Sequence, residues 1–103
     1  MAENKKANNE EKVELPPVDF MTFIGSLAST AFAYMGGIID PETKKPIVQL
    51  DIAKHHIDTI EMLQGKTEGN LTSPEKNFLE NTLYNLRMSY VRILNNPPTE
   101  TEE

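Results

Sequence analysis

The stretch FMTFIGSLASTAFAYMGGII, residues 20–39, contains no charged side chain, although 25% of the chain is Asp, Glu, Lys or Arg. Small residues recur in it at every fourth position, namely Gly25, Ser29, Ala33 and Gly37. On a helix this spacing places them one above the other along one side. A smooth strip of this kind among bulky residues favours close packing with other helices, in an oligomer interface, a tightly packed core or a membrane.

The stretch predicts a first helix over residues 20–35. Asp19 precedes it as the predicted N-cap, because its side-chain oxygen can accept a hydrogen bond from an unpaired N–H of the first turn. The glycine pair at 36–37 is predicted to end the helix, as a glycine at the C′ position does. Residues 40–48, DPETKKPIV, are interrupted by two prolines and predict a connector with a short extended piece at 47–48.

Two further helices are predicted after the connector, over residues 50–64 and 74–94. Gly65 is expected to end the second helix, and a capping box of Thr72 and Glu75 to begin the third. The apolar stripe of the second helix consists of Leu50, Ala53, Ile57 and Ile60. The heptad seam of the third consists of Leu79, Leu83, Leu86, Tyr90 and Ile93, widened by Phe78, Val91 and Leu94. Both repeats are typical of helices that bury one face.

These patterns predict an all-α domain of three helices, in which the apolar first helix packs on an antiparallel hairpin of the other two. Counting outward from the hairpin loop places Asp51 level with Arg87, as an ion pair that fixes the register. The domain is predicted over residues 15–95. Residues 1–14 and the acidic residues 96–103 have few apolar side chains to bury, so both tails are expected to be disordered.

The first helix is also the predicted site of self-association. A folded domain of about 80 residues can hardly cover bulky side chains on every side of a helix. We therefore expect a homo-oligomer, and leave open an unidentified protein partner. The predicted interface residues are Phe20, Phe23, Ile24, Gly25, Ser29, Phe32 and Ala33.

Composition narrows the remaining functions. The net charge of −6 without a basic patch argues against nucleic-acid binding. The absence of cysteine excludes disulfides, thiolate zinc sites and cysteine nucleophiles. No apolar secretory segment occurs in the first 15 residues, which favours the cytoplasm.

The uncharged stretch has the length of a membrane span, but its glycines would break the helix after about 24 Å. A membrane-surface or membrane-inserted protein is therefore the alternative and not the preferred interpretation.

Three polar patterns could carry chemistry, and each has a plainer explanation. Asp51, His55 and Asp58 share one face of the second helix and could hold a metal ion, but no fourth ligand is evident. Residues 65–67, GKT, lack the earlier glycine and the strand of a phosphate loop. The hydroxyls of the first helix have no base placed to activate them. We therefore expect no cofactor and no enzyme activity, but a non-catalytic interaction or scaffold module; a small ligand- or metal-binding enzyme is a third alternative.

Several segments also form a pattern distributed along the chain. They are Leu15-Pro16-Pro17-Val18-Asp19-Phe20, Phe23, Ser26-Leu27, Gly36, Asp40-Pro41, Ala53-Lys54, Ile57-Asp58, Met62-Leu63, Lys66-Thr67, Gly69-Asn70-Leu71-Thr72, Leu86-Arg87 and Tyr90-Val91. This pattern resembles a family of small bacterial proteins known only as a domain of unknown function, number eighteen forty-four. The resemblance covers residues 15–93, with departures at Gly37-Ile38 and Lys44-Lys45. It implies a cytoplasmic, bacterial, α-helical protein and assigns no catalytic residue.

Overall fold

A computed structural model provides the structure of the chain and describes residues 13–97. The elements in chain order are α1 (Phe20–Ala33), β1 (Met35–Ile39), β2 (Pro46–Val48), α2 (Leu50–Lys66) and α3 (Ser73–Asn95). Residues 1–12 and 98–103, which make up most of the two predicted tails, lie outside the described residues. The three predicted helices are therefore present, and a small sheet lies between the first and the second.

α1 begins at the predicted residue because Asp19 caps it. The Thr22 N–H donates a hydrogen bond to the Asp19 carboxylate with an N–O distance of 2.7 Å. One side of the helix is buried, through Ile24, Ala28 and Ala31. These residues are four and three positions apart, which is the spacing of one helical face.

The fold is mostly helical but not all-α, because the chain between α1 and α2 forms a two-stranded antiparallel sheet. β1 contains the glycine pair at 36–37, which had been predicted to end the first helix. α1 ends earlier, at Ala33. β2 includes the extended piece predicted at 47–48. The signal for the missed strand is the β-branched pair at 38–39, which is followed along the chain, after a proline-containing turn, by a similar pair at 47–48.

The path of β1 requires its glycines. Gly36 has a φ of 100°, in the left-handed region that glycine adopts without strain. A methyl group on Gly37 would lie 2.8 Å from the carbonyl oxygen of Phe32, so a larger residue would push β1 away from the end of α1. The paired positions are Met35 with Val48 and Ile39 with Pro46. Four residue steps on β1 thus oppose two on β2, and the register shifts between the pairs as at a β-bulge.

Backbone hydrogen bonds close the hairpin at both ends. At the tip, the Asp40 N–H donates to the Lys45 carbonyl at 2.8 Å, and the Lys44 N–H donates to the Asp40 carbonyl at 2.7 Å. At the base, the Gln49 N–H donates to the Tyr34 carbonyl at 2.8 Å. The last bond joins the residue that follows α1 to the residue that precedes α2, so the hairpin holds these two helix ends side by side.

α2 and α3 follow the sequence prediction closely. α2 continues through Gly65 to Lys66, and a methyl group on Gly65 would meet nothing within 4 Å. This glycine is an exposed helical residue and not the predicted stop. The capping box of α3 is confirmed: the Glu75 N–H donates to the Thr72 hydroxyl at 3.3 Å, and the Thr72 N–H donates to the Glu75 carboxylate at 2.9 Å.

The three helices contact one another and share one apolar core. The buried core residues are Ile24, Ala28, Ala31, Met35, Ala53, Ile57, Ile60, Leu79, Leu83 and Leu86. Most of the predicted stripes of α2 and α3 are thus confirmed as core. Val91 and Leu94, which were predicted to widen the seam of α3, are instead exposed. The antiparallel direction of α2 and α3 stays a prediction.

The predicted ion pair between Asp51 and Arg87 is wrong. Arg87 lies next to Glu61, with 3.4 Å between Nη2 and Oε2. The first turns of α3 lie beside the connecting loop, so that Gln64 near the end of α2 shares a pocket with Glu80. Counting from the two helix ends assumed that α3 starts level with the end of α2, and this assumption caused the error.

Candidate interaction surface

The structure divides the predicted interface residues into an inner and an outer group. Ile24 is 0% exposed and belongs to the core, so it has no surface to offer a partner in this conformation. Phe20 is half-buried against the core. Gly25 is also half-buried, and a methyl group placed on it would lie 3.8 Å from the Phe78 ring of α3. These three residues therefore pack within the chain.

The outer group consists of Phe23, Ser29, Phe32 and the half-buried Ala33. Phe23 and Phe32 are 49% and 38% exposed. They are nine residues apart, which is about two and a half helical turns, so they project from opposite sides of α1. The outward face of the helix lies between them.

Small side chains occupy this outward face. They are Thr22, Ser26, Ser29 and Ala33, which recur at helical spacing. The Ser26 hydroxyl donates to the Phe23 carbonyl at 2.7 Å, and the Thr30 hydroxyl donates to the Ser26 carbonyl at 3.2 Å. Since the Ser26 hydroxyl bonds back onto its own helix, a partner that covers it need not replace that hydrogen bond. We call the face formed by these small residues with Phe23 and Phe32 the α1 surface.

The apolar exposure continues beyond α1 into the sheet. Ile38 and Ile39 near the end of β1 are both about half exposed. They belong to the same uncharged stretch as the α1 surface. The stretch thus combines core residues with exposed apolar side chains on two successive elements.

The two carboxylates of the group that was considered as a possible metal site, Asp51 and Asp58, have other partners. Asp58 accepts a hydrogen bond from the Lys54 ammonium at 2.9 Å, and this bond raises the pKa of Lys54. Asp51 accepts one from the Ile52 N–H at 2.9 Å. Over residues 13–97, no three His, Cys, Asp or Glu side chains are grouped so that they could hold a metal ion. The arrangement of Asp51, His55 and Asp58 is that of a solvated helix face.

A groove of about 330 Å³ lies between α2 and α3 and was not foreseen from the sequence. Ile57, Tyr90 and Val91 form its apolar lining. The ion pairs Lys54–Asp58 and Arg87–Glu61 lie along its rim. A groove of this shape suits an apolar side chain of a partner better than a charged ligand, because its charged groups are already paired.

Comparison with known proteins identifies the family. Residues 17–92 match the model of a domain of unknown function, DUF1844. The chain belongs to this family. The resemblance drawn from the sequence segments is thereby confirmed, and the DUF1844 match extends from before α1 through most of α3. Searches of curated proteins and of solved structures give no match for this DUF1844 chain.

The helices of this DUF1844 protein are short relative to a membrane span or carry many charges. α1, the most apolar of them, contains 14 residues. A helix of that length is about 21 Å long, whereas the hydrocarbon core of a bilayer is about 30 Å thick. Within the part of the chain that the structure describes, no helix is both long and apolar enough to cross a membrane.

Proposed function

We propose that this DUF1844 protein is a non-catalytic module that associates with copies of itself through the α1 surface. One observation carries the proposal: a helix without charge exposes Phe23 and Phe32 on either side of a strip of small residues. Single exposed apolar residues are common on monomers and need no explanation. A continuous uncharged helix face in a densely charged chain is unusual and marks a contact site.

The shape of the α1 surface suits a second helix. Small side chains at Ser26 and Ser29 let a partner backbone approach closely, and the two phenylalanine rings can then pack along its sides. The same face on both copies forms a two-fold contact, which is the commonest arrangement among homo-oligomers. Because the chain carries a net charge of −6, an uncharged face is also where two copies repel each other least.

The polar groups of α1 support a role without catalysis. The hydroxyls of Ser26 and Thr30 are engaged with backbone carbonyls of the same helix. A nucleophile needs a base within hydrogen-bond reach, and neither hydroxyl is directed toward one. In the proposal, α2 and α3 form an antiparallel hairpin that supports α1 from its buried side.

The experiment is a mass measurement by light scattering over a range of micromolar concentrations. Ser29→Glu adds a carboxylate to the outward face, and Ala33→Leu fills the strip of small residues. Both variants should lower the mass of the assembly, because two added charges or two added side chains would meet at the contact. The matched control is Asn85→Glu, which adds the same charge at an exposed position of α3 and should leave the mass unchanged.

A wild-type chain with the mass of a monomer throughout this range would overturn the proposal. The same samples mixed with lipid vesicles test the membrane alternative. If the monomer sediments with vesicles and Phe23→Ser abolishes this, the exposed phenylalanine binds lipid and the membrane-surface interpretation replaces self-association.

A further inference from the structure

α3 presents apolar side chains on two different sides. One side is its core seam, represented by the fully buried Leu86. On the other side, Tyr84, Met88 and Val91 are 63%, 51% and 50% exposed. They are four and three residues apart, so they follow one another along a single outward face.

This outward face is uncharged over the whole length of the helix. Continuing the same spacing toward both ends adds Asn77, Asn81 and Asn95. Together with Tyr84, Met88 and Val91 they form the outer seam. The seam spans about 27 Å, since each helical residue rises about 1.5 Å. A helix face that serves only to meet water carries charged residues, as in other parts of this chain, so the outer seam has the composition of a contact face.

The outer seam is continuous with the groove between α2 and α3. Val91 belongs to both, and beside it Ile57 and Tyr90 line the groove. The rim of the groove carries Arg87, whose guanidinium is paired with Glu61 at 3.4 Å. The apolar surface therefore extends sideways from the seam without meeting an unpaired charge at this rim.

We propose that the outer seam is a second self-association surface, which receives the outer seam of another copy in antiparallel orientation. The spacing is self-complementary. Tyr84 precedes Met88 by four residues, and Val91 follows it by three. A two-fold axis near Met88 then brings each Tyr84 onto the partner's Val91 and each Met88 onto the partner's Met88, as a two-fold contact requires.

Charge favours a copy of this chain over other occupants. The seam positions themselves offer an acidic or basic partner no opposite charge. The charged residues that border the seam, Glu80, Arg87 and Arg92, are of mixed sign, so they do not form the one-signed field that a nucleic acid or an anionic lipid surface needs. At the seam positions, by contrast, two copies meet without like charges. Arg87 lies beside the axis, but its own Glu61 neutralises it. Facing asparagines can also donate and accept hydrogen bonds with one another.

This second surface does not depend on the α1 surface. The two lie on different helices, so one chain can use both at once. Two different two-fold contacts per chain carry assembly beyond the dimer, to a closed tetramer or a longer array.

The first experiment compares a variant of each surface with the double variant that alters both. Ser29→Glu alters the α1 surface, and Met88→Glu places two carboxylates side by side at the centre of the seam. The mass of each variant is measured at a single micromolar concentration, at which the wild type should exceed a dimer. Each single variant should fall to a dimer, and the double variant to a monomer. Asn85→Glu, which lies on α3 but off the seam, should keep the wild-type mass.

The outcomes separate the two proposals. If Ser29→Glu keeps the wild-type mass while Met88→Glu gives a monomer, the α1 proposal fails and the outer seam stands. If Met88→Glu, folded by circular dichroism, keeps the wild-type mass, the outer seam is not an interface. A wild type that stays a monomer overturns both.

The second experiment uses the absence of cysteine in the chain. In Met88→Cys, the single cysteine would lie at the two-fold axis, beside the same cysteine of the partner copy. A disulfide requires the two Cβ atoms to be about 4 Å apart, which this position allows. Mild copper-catalysed oxidation should convert most of this variant to a covalent dimer, whereas Asn85→Cys should react at the slow rate of random collision. Equal rates for the two variants would contradict an antiparallel contact centred on Met88, even if Met88→Glu proved too unstable to purify.

Discussion

Asp19 shows how one side chain sets both the start of a helix and its response to acid. The Thr22 N–H donates to the Asp19 carboxylate, and this bond together with that of the Thr22 hydroxyl lowers the pKa of Asp19 from its ordinary value of 3.8. A lowered pKa means that the folded state favours the charged form. The stabilisation is therefore complete above the ordinary pKa and is lost as the pH falls through the lowered one.

We predict that Asp19→Asn flattens the acid limb of the stability profile. Asparagine also caps a helix N-terminus well but does not titrate, so the variant should resemble the wild type near neutral pH. Below about pH 4 the wild type should lose stability more steeply than the variant, because it must protonate the cap. Urea unfolding of both proteins across this range measures the difference, and parallel pH profiles would contradict it.

The two glycines of β1 show how far the hairpin could be predicted from individual residues of the sequence. Gly36 and Gly37 correctly indicate a place where the backbone needs a conformation or an approach that other residues resist. They do not show whether the chain ends a helix or forms a bulged strand there, because both structures use glycine at positive φ. The decisive contact, between Gly37 and the Phe32 carbonyl, exists only after the chain has folded back.

At the scale of elements, the long periodic helices were predictable and the short strands were not. α2 and α3 bury one face each, and burial of one face is what a helical repeat of apolar residues records. β1 and β2 have five and three residues, too few for an alternating pattern to emerge. α1 is uncharged on every side, so its sequence could not show that Ile24 faces inward while Phe23 and Phe32 stay partly exposed. The outer seam of α3 was missed because its residues lie among those of the stronger core seam.

The core seam of α3 predicts a contrast between two neighbouring positions. Leu86 is fully buried, and Asn85 beside it is exposed. Leu86→Ala should reduce the free energy of unfolding by about 2–5 kcal/mol, through lost burial and a residual cavity. Asn85→Ala should change it by less than about 0.5 kcal/mol. Denaturant titration of both variants provides the test, and a larger loss for Asn85→Ala would mean that the faces of α3 are assigned the wrong way round.

At the scale of the whole molecule, the folded part is close to neutral and the ends carry most of the net charge. Residues 1–14 and 97–103 together contain three bases and seven acids, so their removal changes the net charge from −6 to −2. In the proposed assembly, the acidic ends of neighbouring copies would repel one another, and salt would screen this repulsion.

Deleting both ends should therefore leave the fold intact and strengthen assembly. The melting temperature and the helical signal should stay nearly unchanged, because few apolar residues are removed. The truncated chain should form larger assemblies than the full chain at low salt, and the difference should shrink as salt is added. A marked fall in melting temperature would show that one of the ends packs on the domain.

The tip of the β1–β2 hairpin is a place where the chain could be cut into two fragments. The base of the hairpin is held by strand pairing and by the bond between Gln49 and Tyr34, whereas residues 41–45 at its tip are exposed. A cut at the tip would leave α1 with β1 on one fragment, and β2 with both other helices on the second. Each fragment keeps one strand of the same sheet and part of the same core. We therefore expect the two pieces to reassemble when they are supplied separately, and the exposed tip to accept an inserted reporter.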